Sequence, residues 1–140
     1  MSNSRFSIAI HTTCLLALSG DEQPLTSEYI AASANTNPVV IRRILALLRR
    51  AKLVCSIPGT NGGWFLSKPK EKLMLTEILA ALNPEPVFSL HSRPPNPHCA
   101  VGKNIQRSLK AVFRKTNDAM TESITGISIA EVLKETLKQK

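Results

Sequence analysis

Two histidines and a cysteine crowd into HSRPPNPHCAVG, residues 91 to 102: His91, His98 and Cys99. Such groups can ligate a metal ion, or pair as nucleophile and base, but their spacing argues against both. An iron-sulfur cluster takes four ligands, mostly thiolates, and this segment offers a single thiol. Adjacent His98 and Cys99 are poorly spaced for one tetrahedral zinc, which would also need a fourth ligand or a partner chain. Cysteine-histidine catalysis would lack an orienting acid and an oxyanion site. The expectation is therefore no metal, no cofactor and no enzymatic activity. The chemistry left is that of a reactive thiol. Cys99 stands where a following helix presents its positive end, beside His98 and close to Lys103, and each of these favours thiolate. Such a thiol can respond to oxidants by an adduct or an intersubunit disulfide. The competing reading is an inert packing cysteine in a segment that Pro94, Pro95 and Pro97 keep extended.

A second group of residues carries charge rather than reactivity. Between Tyr29 and Lys70 there is no Asp or Glu, while Arg42, Arg43, Arg49, Arg50, Lys52, Lys68 and Lys70 are all positive. A solvated face normally mixes signs. The whole chain follows the same bias, with 18 Lys and Arg against 10 Asp and Glu, and a formal charge of +8. A polyanion is the expected partner, and double-stranded DNA fits it best.

The elements around that run say how it would be presented. LTSEYIAASANTNPVVIRRILALLRRAKLV reads as two helices and a short turn. Thr26 or Ser27 caps the first helix, and Tyr29, Ile30 and Ala34 give it an apolar side. Asn37 followed by Pro38 starts the second, because Asn accepts backbone N–H bonds and proline at the first helical position sacrifices none. Val40, Ile44, Leu47, Leu48 and Ala51 are its expected buried face. Val39, Arg42, Arg43, Ala46, Arg49 and Arg50 lie opposite. Leu53 to Ile57 then forms a short strand, PGTNGG a turn, and WFL a returning strand. A helix, a helix-turn-helix and a hairpin in that order make the winged variant of the helix-turn-helix, in a mainly α fold. Thr36, Asn37, Val39, Arg42 and Arg43 would reach bases or phosphates in the major groove. Arg49, Arg50 and Lys52 would touch phosphates, and the wing, with Asn61 and Gly62, would lie over the adjacent backbone or minor groove.

Around this core, 140 residues leave no room for a second catalytic domain. The segment RFSIAIHTTCLLALSG reads as a buried helix rather than a signal peptide, since His11, Thr12 and Thr13 interrupt its apolar run. Its expected apolar positions are Phe6, Ala9, Ile10, Leu16 and Ala17. No stretch has the uninterrupted apolar length of a membrane span. Cys14, Cys55 and Cys99 are scattered and odd in number, which suits a reducing cytoplasm. A short helix over residues 74 to 82 precedes the connector. From Val101, the residues Ile105, Leu109, Val112, Phe113, Thr116, Met120 and Ile124 recur at helical steps over about six turns. A helix that long is expected to pair with a second copy of itself, with Ile105, Leu109, Val112, Phe113 and Met120 in the seam. Ser128 and Glu131 then form a capping box for a last helix. The expected divisions are residues 1–82 as the DNA-binding domain, 83–100 as a connecting loop, and 101–140 as the dimerisation helix with the C-terminal helix.

The succession NPVVIRRILALLRRAKLVCSIPGTNGGWFLSKP, preceded by SRFSIAIH and followed by LTEILAAL, resembles the Rrf-two-type family of bacterial winged-helix regulators. That resemblance implies a dimeric transcription factor, usually a repressor, whose long helices pair across a two-fold axis. Two departures stand out. Many members place an arginine before the wing glycine, where this chain has Pro58, so minor-groove readout by the wing does not carry over. Cluster-binding members carry three closely spaced cysteines before the long helix, where this chain has only Cys99. It resembles the branch without a cluster. Taken together, the residues and the resemblance predict a homodimeric repressor on a pseudo-palindromic operator, thiol-responsive through Cys99. The alternative is a winged helix whose basic surface meets an acidic protein.

Overall fold

The computed structural model describes residues 4–139. Its elements run α1 (Ser4–Ser19), α2 (Ser27–Ala34), α3 (Pro38–Arg50), β1 (Val54–Ile57), β2 (Gly63–Leu66), α4 (Leu75–Ala81), α5 (Ala100–Ser123) and α6 (Ile129–Lys138). They fall into two compact units. The first runs up to Asn83 and resumes at Gly126; the second is Pro84–Thr125. The terminal residues 1–3 and 140, included in the expected divisions, lie outside the described residues.

The first unit is built around α1, which touches α2, α3, α4, α6 and β2. A helix surrounded in this way buries more than one stripe. Ala9 and Leu16 are buried as expected, but so are Thr12 and Thr13, while Phe6, Ile10 and Ala17 are only half-buried. Thr13 satisfies its hydroxyl by donating to the carbonyls of Ala9 and Ile10, at 3.1 and 2.9 Å. Thr12 Oγ1 has no hydrogen-bond partner among the described residues.

Local signals set the helix-turn-helix. The Thr26 hydroxyl accepts from the N–H of Tyr29 at 3.1 Å and so caps α2. Asn35 ends that helix in the left-handed conformation, φ 52, a shape Asn tolerates better than most residues. Two residues on, Asn37 caps α3 by accepting from the N–H of Val39 at 2.8 Å, and Pro38 opens the helix. The far end closes on Lys52, φ 65, whose N–H reaches Arg49 O at 2.8 Å while Leu53 N–H reaches Leu48 O at 2.9 Å. This pair of bonds stops α3 and turns the chain into the wing.

The buried face of α3 differs from expectation by about one residue of phase. Ile41, Ile44, Leu45 and Leu48 are buried, whereas Val40 and Leu47 are half-buried and Ala51 is exposed. On α2, Tyr29 is exposed, and Ile30 with Ala31 fills the interior. Pattern alone could not separate these neighbours, because both choices keep helical spacing; the packing of α1 and α4 against α3 decides it.

The wing pairs antiparallel, with Val54 opposite Leu66, Cys55 opposite Phe65, Ser56 opposite Trp64 and Ile57 opposite Gly63. A further bridge, invisible in the sequence pattern, joins Leu25 to Trp64. Close backbone approach explains the paired glycines. A Cβ on Gly62 would lie 2.0 Å from Ile57 O, and one on Gly63 would lie 2.6 Å from Leu25 O. Both are required by the protein's own backbone.

The C-terminal helix departs from the expected grouping with the dimerisation helix, for it belongs to the first unit. Ser128 bridges Met74, Leu75 N–H donates to Ile127 O at 2.9 Å, and Ile129 N–H donates to Leu73 O at 2.8 Å. Those bonds deliver Ile129 and Leu133 into the core, against α1. Ser128 caps α6, accepting from Glu131 N–H at 3.1 Å, which is one of the two bonds of the expected capping box.

In the second unit, α5 spans 24 residues and buries none of them. Val101, Ile105, Leu109, Val112, Phe113, Thr116, Met120 and Ile124 lie within an arc of roughly 140° at about 3.6 residues per turn. Ile105, Leu109, Phe113 and Ile124 are half-buried; Val101, Val112 and Met120 are exposed. Phe113, at one edge of the arc, meets Phe88 of its own chain with ring centroids 5.5 Å apart.

Removing the orphaned hydroxyl inside α1 should help the fold. Thr12→Val is predicted to raise stability by about 1 kcal/mol in urea-melt measurements, because an isosteric methyl replaces a buried donor without a partner.

Candidate nucleic-acid interface

The phase of α3 determines what the helix shows to solvent. Val39, Arg42, Arg43, Ala46, Arg49 and Arg50 are all exposed, the face the sequence predicts. At its N-terminal end the structure brings together Asn37, Val39, Arg42 and Arg43. Thr36 is half-buried and gives its N–H to Ala31 O at 3.0 Å, closing α2. Asn37 is exposed, but its Oδ1 is occupied by the cap, leaving its amide N–H groups for a ligand. Lys52 is exposed at the turn into the wing, at whose tip lies exposed Asn61, followed by half-buried Gly62.

Not every cation of the basic run is free. Arg42 reaches back to Glu28 on α2 and forms an ion pair. Lys68 pairs with Glu77 on α4 at 2.8 Å. Arg49 lies over the Trp64 ring, its guanidinium carbon 5.4 Å from the centroid, with Nη1 3.5 Å from Ser56 Oγ. Arg43 and Arg50 take part in no ion pair among the described residues.

These pairings leave their mark on titration. A hydrogen bond from its own backbone, followed by Arg42, holds the Glu28 carboxyl below the ordinary carboxylate range. Both partners are therefore charged at neutral pH, and the pair is lost only as pH falls through that lowered value. Being exposed, it orients Arg42 more than it stabilises the fold. For Glu77, burial alone would push the pKa up, but Lys68 and the backbone N–H of Met74 outweigh it and the net shift is downward.

Sequence reasoning missed Glu28, Trp64, Ser56 and Leu25 as partners of this face. Glu28 and Arg42 are fourteen residues apart, and no local period links them. A sole tryptophan at the root of a wing was the one available hint.

The connector belongs to the second unit. His98 N–H donates to Asn96 Oδ1 at 2.9 Å, Cys99 N–H to Asn96 O at 3.3 Å, and Gln106 Nε2 to His91 O at 3.5 Å. Cys99 is the N-cap residue of α5 and is exposed. The backbone N–H groups of Gly102, and then Val101, hold its thiol below the usual thiol range, although no capping hydrogen bond closes. The cause is thus the backbone at the first turn of the helix. Cys14 behaves oppositely, since burial pushes its thiol up.

With this geometry in hand, the chain can be placed among known proteins. The sequence model of the Rrf2 family, described as an iron-dependent transcriptional regulator, matches residues 2–135. The chain belongs to the Rrf2 family. Over 133 residues it is 36% identical to YwnA of Bacillus subtilis (strain 168), a protein named as a candidate HTH-type transcriptional regulator; the match covers 95% of this chain and 97% of YwnA. A crystal structure described as that of a candidate DNA-binding protein superposes with a TM-score of 0.75 at 35% identity, covering 93% of this chain and 99% of its own. T. potens IscR superposes with a TM-score of 0.70 at 20% identity, over 97% and 88%, and so shares the fold. This Rrf2 protein is a winged-helix transcriptional regulator, and its relatives are regulators rather than enzymes.

The iron in the family's description does not suit this chain's side chains. Among the described residues, no three His, Cys, Asp or Glu side chains gather where an ion could be held. The connector offers one thiol, with His91 and His98 exposed on the same open segment. An iron-sulfur cluster asks for about four ligands, mostly thiolates. The residues present do not fit one. Separately, no helix among the described residues is long and apolar enough to cross a membrane.

Cys99 and Cys14 should react in a fixed order. Cys99 is predicted to alkylate first, with its half-maximal rate at a lower pH than an unperturbed thiol, and Cys14 last, with its half-maximum shifted upward. Mass spectrometry of peptides after iodoacetamide treatment across a pH series reads each site separately.

Proposed function

We propose that this Rrf2 protein is a cytoplasmic, sequence-specific, duplex-DNA-binding repressor that acts as a homodimer. The observation that carries the reading is the outward face of α3, which runs Val39, Arg42, Arg43, Ala46, Arg49, Arg50 without a carboxylate between Tyr29 and Lys70. In the proposed complex the N-terminal end of α3 enters the major groove. Arg42 and Arg43 can donate in pairs to guanine O6 and N7, and Val39 can cover a thymine methyl. Thr36 and Asn37 stand at the rim of the groove. Arg50 and Lys52 neutralise phosphates, and Asn61 and Gly62 bring the wing against the neighbouring backbone.

The pairing surface in this reading is α5. A 24-residue amphipathic helix with no buried residue has an apolar side still to cover, and a second copy supplies the matching surface through Ile105, Leu109, Val112, Phe113 and Met120. Two-fold symmetry then asks for a pseudo-palindromic operator with half-sites roughly 34 Å apart. Occupying a promoter is the simplest way such a protein represses. Cys99 provides a point of control: an exposed, acidified thiol at the first turn of the pairing helix would, once modified, place bulk or charge there.

Selection from a randomised duplex library tests the whole reading. Wild-type protein is expected to enrich a two-fold symmetric site. Arg42→Ala and Arg43→Ala should each weaken binding to that site by about 1–3 kcal/mol and relax the selected sequence. Lys52→Ala should lower affinity for selected and random duplexes alike. Normal binding by both arginine variants would remove α3 from the interface. Alkylation at Cys99 should change affinity for the selected site, and unchanged affinity would dismiss the thiol response.

A further inference from the structure

Arg49 occupies a position where a phosphate contact is the natural expectation, yet its geometry directs it elsewhere. Its guanidinium carbon lies 5.4 Å from the Trp64 ring centroid, inside the range of a cation–π contact. Nη1 also approaches Ser56 Oγ at 3.5 Å, the outer limit of a hydrogen bond. Ser56 and Trp64 face each other across the hairpin. Arg49 therefore meets both strands of the wing on one rung, by a cation–π contact to the ring and a long hydrogen bond to Ser56.

Trp64 is tied down on its other side as well. Its backbone N–H donates to Leu25 O at 2.8 Å, and Leu25 N–H donates to Trp64 O at 3.0 Å. Leu25 precedes the cap of α2. One residue of the wing thus joins the start of α2 by backbone and the end of α3 by its ring. The wing needs such anchoring, since it is two strands of four residues with Ser56, Ile57 and the turn exposed, and an isolated two-stranded hairpin is marginal in water.

We propose that Arg49 is a positioning residue for the wing, holding β1 and β2 at a set angle to the recognition helix through Trp64, rather than a ligand for phosphate. The planar guanidinium suits this role: it can lie over an indole while its N–H groups remain free to bond Ser56, which a lysine ammonium cannot do in the same way. Arg50 makes no such contact among the described residues and stays with the phosphate-facing set. The inference rests on the reading of this face as a DNA interface only for its effect on binding; the clamp itself is a property of the free protein.

Trp64 is the only tryptophan in the chain, so intrinsic emission reports the clamp directly. Full-length wild type, Arg49→Lys and Arg49→Gln are compared in two measurements: Trp64 emission with acrylamide quenching in the absence of DNA, and affinity for a random-sequence duplex over a salt series. Arg49 is exposed, and both variants are expected to keep the wild-type circular dichroism spectrum. The clamp predicts that both variants shift the emission and increase quenching. It also predicts that Arg49→Lys, despite its charge, loses roughly threefold in affinity as Arg49→Gln does, with neither changing the salt slope. Unaltered Trp64 emission and quenching in both variants would overturn the proposal. So would wild-type binding by Arg49→Lys together with a salt slope lowered by about one in Arg49→Gln, the signature of a phosphate contact. Should wild type bind no duplex at low salt, the DNA reading fails, and the emission data still decide the clamp.

Discussion

Burial of Ile41, Ile44, Leu45 and Leu48, each no more than 1% exposed, is the constraint on which the rest of the first unit depends. Each such side chain contributes about 1.5–3 kcal/mol when removed from water. The exposed Arg42–Glu28 pair is worth about 0–1 kcal/mol by comparison. Packing therefore sets the rotation of α3, and the arginines follow to the opposite side because they have nowhere else to go. Glu28 and Trp64 then refine where two of those arginines point. The arginine face is thus a by-product of the core, trimmed by a few weak polar contacts.

The same division explains what could be read in advance. Asn37 and Pro38 announce the start of α3, PGTNGG announces the wing, and the recurrence from Val101 announces α5; each signal lies within a few residues of the element it controls. The exposed face of α3 was legible for that reason. Its buried face was legible only in Ile44 and Leu48, because Ile41 and Leu45 compete with Val40 and Leu47 on equal terms until α1 and α4 pack against them. The place of α6 was equally hidden, since it depends on backbone bonds from residues 127–129 to residues 73–75, far away in sequence. Thr12 and Thr13 looked like interruptions of an apolar run and are core residues, because α1 is enclosed on several sides. The partners of the arginines belong with these long-range effects: Glu28 and Trp64 become visible only once α2, α3 and the wing are assembled.

Within the Rrf2 family, the connector sets this protein apart from an iron-dependent mode. One thiol at the N-cap of α5 is held below the usual thiol range by the backbone N–H groups of Gly102 and Val101, a helix-terminus effect. Its chemistry and the exposed apolar side of α5 lie in the same unit, Pro84–Thr125. Any response to a modified thiol would therefore begin in the element proposed to join two copies.

The most direct test of the central claim is the affinity of the wild-type protein for duplex DNA as a function of salt. An arginine face that neutralises phosphates releases counterions, so the logarithm of the association constant should fall linearly with the logarithm of salt concentration, losing about 0.9 per phosphate contacted. A steep negative slope is the expected result, whereas absence of binding at low salt would contradict a nucleic-acid interface and turn the basic surface toward an acidic protein.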